Sequence, residues 1–367
     1  MCQGATLSIV VVGAGRVGRA VVEQLTSGAS TMRDRCGVAM RLVGMADRSA
    51  VLHDATGLSE TAIRSALQSK RAGESLAGLS PGGESIPPDR LPALAGPGIV
   101  FVDATADPHM GKVWRDVLAA GGSVVLANKY PLCDLWKESA PLYEHPRLRY
   151  EATVGAGLPV ISTLRRLLDS GDRITGIDAS VSGTLAYLMN RLSDGTALST
   201  AVGEAVEAGY AEPDPREDLR GADAARKALI LARTLGRPIE PSQVGSECLH
   251  PDDLDRCDLS EFLRKLPAND EAWSTRVSDA AQEGRTLRYL VSLAGEDEPI
   301  RVGVQALDRA NPFASSPGTG NRFEIHTERY KDESLAISGP GAGAAVTATG
   351  ILGDLIELAA LAQKDGP

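Results

Sequence analysis

Gly13, Gly15 and Gly18 form a G-x-G-x-x-G pattern directly after the apolar run LSIVVV. They precede Val17, Ala20, Val21 and Leu25, which recur at helical spacing. In that strand, turn and helix setting the pattern predicts a site for a dinucleotide pyrophosphate. The first glycine permits the tight turn, the second lets the backbone approach the phosphates, and the third lets helix pack on strand. The free N–H groups at the helix start, around Arg16 and Val17, then face the anion. A second concentration of chemistry lies in GYAEPDPREDLRGADAARK, residues 209–227. Pro213 and Pro215 forbid a helix there and hold Glu212 and Asp214 in a stiff loop. From a helix start near Gly221, Asp223 and Lys227 lie one turn apart on one face, acid first, which is the favourable order. A solvated ion pair is the ordinary reading of such a spacing. The crowding of acids on a braced turn, with an apolar face at Ala222, Ala225, Leu229 and Ala232 pointing elsewhere, favours a shaped polar site.

Other candidates are weaker alone. Asp47, at the end of the second predicted strand, suits a ribose hydroxyl, whereas the adjacent Arg48 suits a 2′-phosphate. The two signals conflict, so NAD against NADP stays open, with a lean to NADP. Asp47 also lies 29 residues beyond Gly18, more than the usual spacing of about 20; a loop around Thr31–Gly37 is expected to absorb the excess. Asp103-Ala104-Thr105 ends another strand, where either a ligand contact or an Asx turn fits. Lys129 follows the strand SVVLA at the edge where ligands of such sheets bind. Ser182-Gly183-Thr184 starts a helix and serves either as a cap or as a carboxylate site. Residues 151–159, EATVGAGLP, are either a hinge or a set of oxygen ligands for a hard cation. Cys133 has no histidine near in sequence to activate it, and the five histidines show no metal-ligand spacing.

The elements that must position these groups alternate. Runs at 7–12, 41–46, 99–103 and 123–127 read as buried parallel strands between helical stretches. Segments 27–37 and 80–96 read as surface loops. After about residue 150, helices are expected around 160–168, 184–192, 198–208 and 222–235, with a few strands. Residues 242–270 read as an exposed acidic excursion. A final apolar helix, with Val346, Leu352, Leu355 and Leu358 on one stripe, is expected to return to the first domain. The fold class is therefore α/β: a Rossmann-type doubly wound parallel sheet in residues 1–150, completed by 341–367, with a second α+β catalytic and dimerisation domain in 151–340. The chain carries 38 basic and 48 acidic side chains, a net charge of −10, which opposes binding to nucleic acid or an anionic membrane. Five scattered cysteines give neither a zinc cluster nor a disulfide framework, there is no signal-like leader, and no span is expected to reach the roughly 20 apolar residues of a membrane helix. The expected compartment is the cytoplasm.

These residues together resemble the homoserine dehydrogenase family. The resemblance covers most of the chain and is most specific in YEATVGAGLP (150–159), SGTLAYLMN (182–190), residues 209–227 and GAGAAVTATGILGD (341–354), in the family's order. It implies NAD(P)-dependent interconversion of L-aspartate 4-semialdehyde and L-homoserine, a step of threonine, methionine and isoleucine biosynthesis. It further implies that Lys227 donates the proton, that Lys129 is a second catalytic lysine beside the nicotinamide, and that Glu212 and Asp223 bind substrate with Asp218 supporting them. Gly183, Thr184 and Tyr210 match substrate contacts, and Thr105 and Gly343 match cofactor contacts. Glu151 and the carbonyls of Val154, Ala156 and Leu158 match a sodium site, and subunits of the family pair as homodimers through the substrate domain. Because little follows the GILGD helix and nothing precedes the first strand, a regulatory domain, a fused aspartate kinase and threonine feedback are not expected.

Overall fold

Apolar β-favouring sequence covered on both faces makes a central parallel strand. TLSIVVV does so as β1 (Thr6–Val12), whose residues Ile9, Val10 and Val11 are fully buried. The chain continues through α1 (Arg16–Cys36), β2 (Ala39–Ala46), β3 (Val51–His53), α2 (Glu60–Arg71), β4 (Glu84–Ile86), β5 (Ile99–Asp103), α3 (Met110–Ala119), β6 (Ser123–Leu126), α4 (Trp136–Tyr143) and β7 (Leu148–Arg149). In this computed structural model, which describes residues 6–79, 84–295, 298–315 and 318–364, the strands form one sheet in the order β4-β3-β2-β1-β5-β6-β7. The pairs from β2 through β1, β5 and β6 to β7 are parallel; β3 and β4 extend the sheet antiparallel beyond β2. The connection from β1 leaves to one side and the chain returns on the other at β5. That switch opens a crevice at the carboxyl ends of β1 and β5.

The expected loop at 27–37 is instead helix. α1 runs to Cys36, buries Met32, and stops at Gly37, whose φ of 66° lets its N–H reach the Arg33 carbonyl at 3.0 Å. Thr26 and Ser27 bond back to the carbonyls one turn earlier, so their polarity does not break it. The extra helical length, rather than a loop, accounts for the long spacing between Gly18 and Asp47. The expected loop at 80–96 includes β4 and a 3₁₀ turn at Pro88–Leu94, while residues 80–83 lie outside the described ones.

The first compact unit comprises the chain to Pro159 together with the segment from Gly343, and the second is Val160–Ala342. The divide thus lies nine residues beyond the position read from the sequence. The terminal helix, Ala344–Lys364, packs in the first unit: Ala348, Ile351, Leu355, Leu358 and Ala359 share a core with Ile9, Val21 and Val22. Its buried stripe is shifted from the expected one, with Leu352 only partly covered. Residues 344–362 have the length and a mean hydropathy, 1.6, of a membrane-crossing helix, contrary to the sequence reading. The composition has a packing reason, because a small-residue face, with Gly350 against the Ala156 carbonyl, fits closely on the unit's own core.

The second unit contains α5 (Val160–Asp169), β8 (Ile174–Ser180), α6 (Gly183–Ser193), α7 (Leu198–Glu207), α8 (Arg216–Leu219), α9 (Ala222–Thr234), α10 (Leu259–Lys265), α11 (Asp270–Gln282), β9 (Arg285–Leu293), β10 (Arg301–Asp308), β11 (Asn321–Thr327) and β12 (Leu335–Gly339). Its strands make an antiparallel sheet in the order β10-β9-β8-β11-β12. The 242–270 tract is not an exposed excursion. Leu249, His250, Leu254, Phe262 and Leu266 are buried, and the Trp273 indole N–H donates to the Leu249 carbonyl at 3.1 Å. Few apolar residues at irregular spacing carry that packing, so no period betrays it.

Candidate active site

The three fingerprint glycines are required for three different reasons. Gly13 has φ of 96°, and a Cβ there would meet the Ala104 backbone at 2.7 Å; a Cβ on Gly18 would lie 1.9 Å from the Gly13 carbonyl oxygen. At Gly15 a Cβ would meet nothing within 4 Å. The protein's own packing therefore does not demand a glycine at 15, whereas close approach of a ligand does. Gly15 caps α1 without a side-chain hydrogen bond, and no acid occupies the first turn at Arg16 and Val17. Around this turn lies a cavity of 900 Å³ bordered by Gly13, Gly15, Arg19, Asp47, Arg48, Lys70 and Thr105. Its size, its open glycine and its cations fit a dinucleotide.

Asp47 is not poised as expected. Its carboxylate takes hydrogen bonds from Lys70 Nζ at 2.8 Å, Ser49 N at 2.9 Å and Leu76 N at 3.0 Å. Partial burial pushes its pKa up, but these bonds win and hold it far below the usual carboxylate value. Arg48 remains exposed on the cavity, and Arg19, which sequence reading passed over, donates to the Lys70 carbonyl at 2.7 Å. Asp103 turns out to be an organiser of the wall. It is fully buried and accepts from Trp114 Nε1 at 2.7 Å, Asn128 Nδ2 at 3.1 Å and Thr105 N at 2.9 Å. Burial raises its pKa against these bonds. Asn128 also reaches Thr105 Oγ1 at 3.1 Å, which fixes the strand end just before Lys129. Neither Lys129, half-buried after β6, nor Gly343, at the start of the terminal helix, borders the cavity. Glu151 is buried, and its N–H donates to Asp354 Oδ2 at 2.9 Å. The turn beyond Val154 places Gly155 at φ 83° and Ala156 at φ 57°, the one non-glycine residue with positive φ among those described, before Leu158.

In the second unit the 209–227 residues do gather. Lys227 is buried, 8% exposed, contrary to a solvated pair; the buried side of α9 includes Ala224, Ala228 and Leu229, whereas Ala222 and Ala225 are half-exposed. Its Nζ donates to the Val181 carbonyl at 2.6 Å and pairs with Asp223 Oδ2 at 2.9 Å. The Val181 carbonyl, just before the 182–184 turn, was invisible in sequence because backbone acceptors carry no residue signature. α9 starts at Gly221, whose φ of 66° lets the chain turn abruptly after α8. Asp218 Oδ2 accepts the Glu212 N–H at 2.8 Å, which fixes the exposed Glu212 loop. Burial pushes the Asp218 carboxyl above its ordinary value against that bond, and the charges of Glu212 and Asp223 add to the rise. Thr184 Oγ1 donates to the Tyr210 carbonyl at 2.6 Å, so α6 and the acidic loop are joined at their starts. Tyr210 packs against Tyr187 with centroids 5.0 Å apart and the rings tilted by 50°. Gly183 has no room for a side chain, since a Cβ would lie 2.9 Å from the Thr319 carbonyl. Asp214 is engaged by Arg216, whose Nη2 donates to it at 2.6 Å.

One family model, homoserine dehydrogenase, matches residues 159–356, and a second, its NAD-binding domain, matches residues 13–145. The chain belongs to the homoserine dehydrogenase family. A homoserine dehydrogenase from Paracoccidioides brasiliensis is 36% identical, over 97% of this chain and 98% of that protein. A chloroplastic bifunctional aspartokinase/homoserine dehydrogenase from Zea mays is 37% identical over 96% of this chain; the match spans 38% of that relative's length. Among solved structures, a hyperthermophilic archaeal homoserine dehydrogenase in complex with NADPH has a TM-score of 0.71 and 25% identity, with 99% of both chains covered. Homoserine dehydrogenases are NAD(P)-dependent oxidoreductases acting on a CH–OH group. The family's NAD-binding segment carries the glycine turn, and its second segment carries the Lys227 cluster.

Proposed function

We propose that the chain interconverts L-homoserine and L-aspartate 4-semialdehyde, with Lys227 as proton donor in the reductive direction, in threonine, methionine and isoleucine biosynthesis. The observation that carries this is the buried ammonium of Lys227, oriented by the Val181 carbonyl and Asp223. Two of its three N–H bonds go to those acceptors, which leaves the third for a substrate oxygen. When bound, NAD(P) supplies or accepts the hydride. Reduction builds alkoxide character on the aldehyde oxygen; Lys227 stabilises that charge and then delivers a proton from Nζ. Glu212 offers a negative partner to the substrate ammonium, and the N–H groups at the start of α6, around Gly183 and Thr184, suit its carboxylate. Asp218 positions Glu212 through its N–H. Lys129 is assigned as the second catalytic lysine on the family resemblance.

For the cofactor we favour NADP. Lys70 and Ser49 occupy the Asp47 carboxylate, so the acid that would select a ribose hydroxyl is neutralised, and Arg48 stands beside it. The deciding assay is homoserine oxidation followed at the reduced nicotinamide absorbance, run in parallel with NADP and NAD. Turnover is expected with both and a higher kcat/KM with NADP. Arg48→Ala is expected to raise the KM for NADP roughly tenfold or more, as loss of a charge-assisted hydrogen bond does, and to leave NAD untouched. Absence of turnover with either nucleotide, in folded protein that binds nucleotide, would overturn the assignment.

The same resemblance supports a sodium ion on Glu151 and the carbonyls of Val154, Ala156 and Leu158. An oxygen donor set suits a hard cation, and ligation explains why Ala156 tolerates a left-handed backbone. Replacing Na⁺ by tetramethylammonium is expected to lower the melting temperature; an unchanged value counts against the ion. We also infer a cytoplasmic homodimer paired through the second unit, for which a monomeric mass by light scattering is the contrary result.

A further inference from the structure

Five buried side-chain polar atoms among the described residues have no hydrogen-bond partner, and three of them belong to two residues that line a single cavity: Oδ1 of Asp172, and Nε and Nη1 of Arg237. This cavity, of 260 Å³, lies in the second unit where α5 and α9 end, β8 begins and β9 ends, and its apolar walls include Leu168, Ile174, Leu235 and Leu293. Asp172 is 4% exposed, and its other oxygen accepts the Thr327 hydroxyl at 2.8 Å. Arg237 spends its remaining nitrogen, Nη2, on the Glu298 carbonyl at 2.7 Å. The two charged groups border the same hollow without pairing with each other.

Buried ionic groups are stable only when each finds a partner. An orphaned carboxylate oxygen calls for a donor, and orphaned guanidinium N–H groups call for an acceptor. A molecule that satisfies both carries an ammonium and a carboxylate. The apolar walls, among which Leu168 is 37% exposed, call for an aliphatic body between or beside those charges. The volume falls just below the roughly 300–1,000 Å³ of pockets that take drug-sized ligands, which suits something smaller.

We propose that this cavity is a binding site for a small aliphatic amino acid, with its carboxylate on Arg237 and its ammonium on Asp172. The site is separate from the Lys227 cluster. Leu235 lies eight residues beyond Lys227, about 12 Å along the direction of α9 at 1.5 Å per residue. Because α9 carries Lys227 within it and ends at this cavity, occupancy bears on the helix that holds the proton donor.

The test is calorimetric titration of the full chain with glycine, L-valine and L-leucine. Isobutylamine and isobutyrate serve as half-ligands that carry one charge each. At least one amino acid is expected to give a saturable heat and raise the melting temperature, with neither half-ligand doing so at the same concentration. Asp172→Asn and Arg237→Lys should each weaken that binding at least tenfold, whereas Glu212→Gln, in the substrate cluster, should retain it. Leu168→Trp, at a partly exposed wall position that folding tolerates, obstructs the cavity with both charges intact and should also abolish binding. The proposal is overturned if no amino acid binds, if binding survives these cavity variants, or if Glu212→Gln removes it, since the ligand then sits in the substrate cluster.

Discussion

Lys227→Ala lowers kcat for homoserine oxidation by roughly 10²- to 10⁴-fold, the range of a lost general acid or base, and leaves nucleotide affinity unchanged. The nucleotide cavity belongs to the other unit and contains no part of α9, so a fluorescence titration with NADPH serves as the internal control. Lys227→Met, which keeps the buried stem but not the charge, should match the alanine variant and thereby separates chemistry from packing. Arginine should rescue poorly, because a guanidinium holds its proton too tightly to give it to an alkoxide. A loss smaller than tenfold would remove Lys227 from the proton-transfer role. Unchanged behaviour would favour a catalytically silent nucleotide sensor, in which the 209–227 acids serve only the fold.

Gly18→Ala abolishes nucleotide binding and destabilises the first unit, by more than the roughly 1–3 kcal/mol usual for overpacking. The added methyl would lie 1.9 Å from the Gly13 carbonyl oxygen, with Val11 Cγ1 at 3.3 Å behind it. Backbone cannot yield as a flexible side chain does, so α1 must move away from β1. That displacement shifts the N–H groups at Gly15 and Arg16 from the phosphates. Gly15→Ala is the informative contrast, because nothing in the protein occupies that space. It should leave the melting temperature nearly unchanged and weaken NADPH binding alone. Thermal unfolding with and without NADPH reads both variants, and a Gly18→Ala protein with ordinary affinity would contradict the assigned geometry.

Sequence disclosed the parts of this protein that have a period or a fixed spacing. β5 is read to the residue at 99–103, and four helices of the second unit, α5, α6, α7 and α9, within a residue or two, because burial imposes alternation or a 3.6-residue stripe on them, whereas α8, α10 and α11 went unread. The glycine turn is legible because only glycine meets its three separate demands. What escaped reading depends on partners remote in the chain. Asp47 looked like a ribose ligand until Lys70 and Leu76, 23 and 29 residues on, took its oxygens. Lys227 was legible as part of a shaped polar site, but the Val181 carbonyl that accepts its hydrogen bond lies 46 residues earlier. The carboxyl end of α1 looked like a loop because its serines and threonine resemble linker composition. Their hydroxyls bond to the helix's own carbonyls, a use that composition does not distinguish.

The terminal helix has a consequence for the order of events during synthesis. The second unit is one uninterrupted stretch, Val160–Ala342, while the core of the first draws on Ile9 and Val21 and also on Ile351 and Leu355. A chain emerging from the ribosome can thus complete its later-made half before its earlier-made one. The nascent nucleotide sheet must wait, with apolar surface uncovered, for some 180 intervening residues to pass, so chaperone demand should fall on the amino-terminal portion.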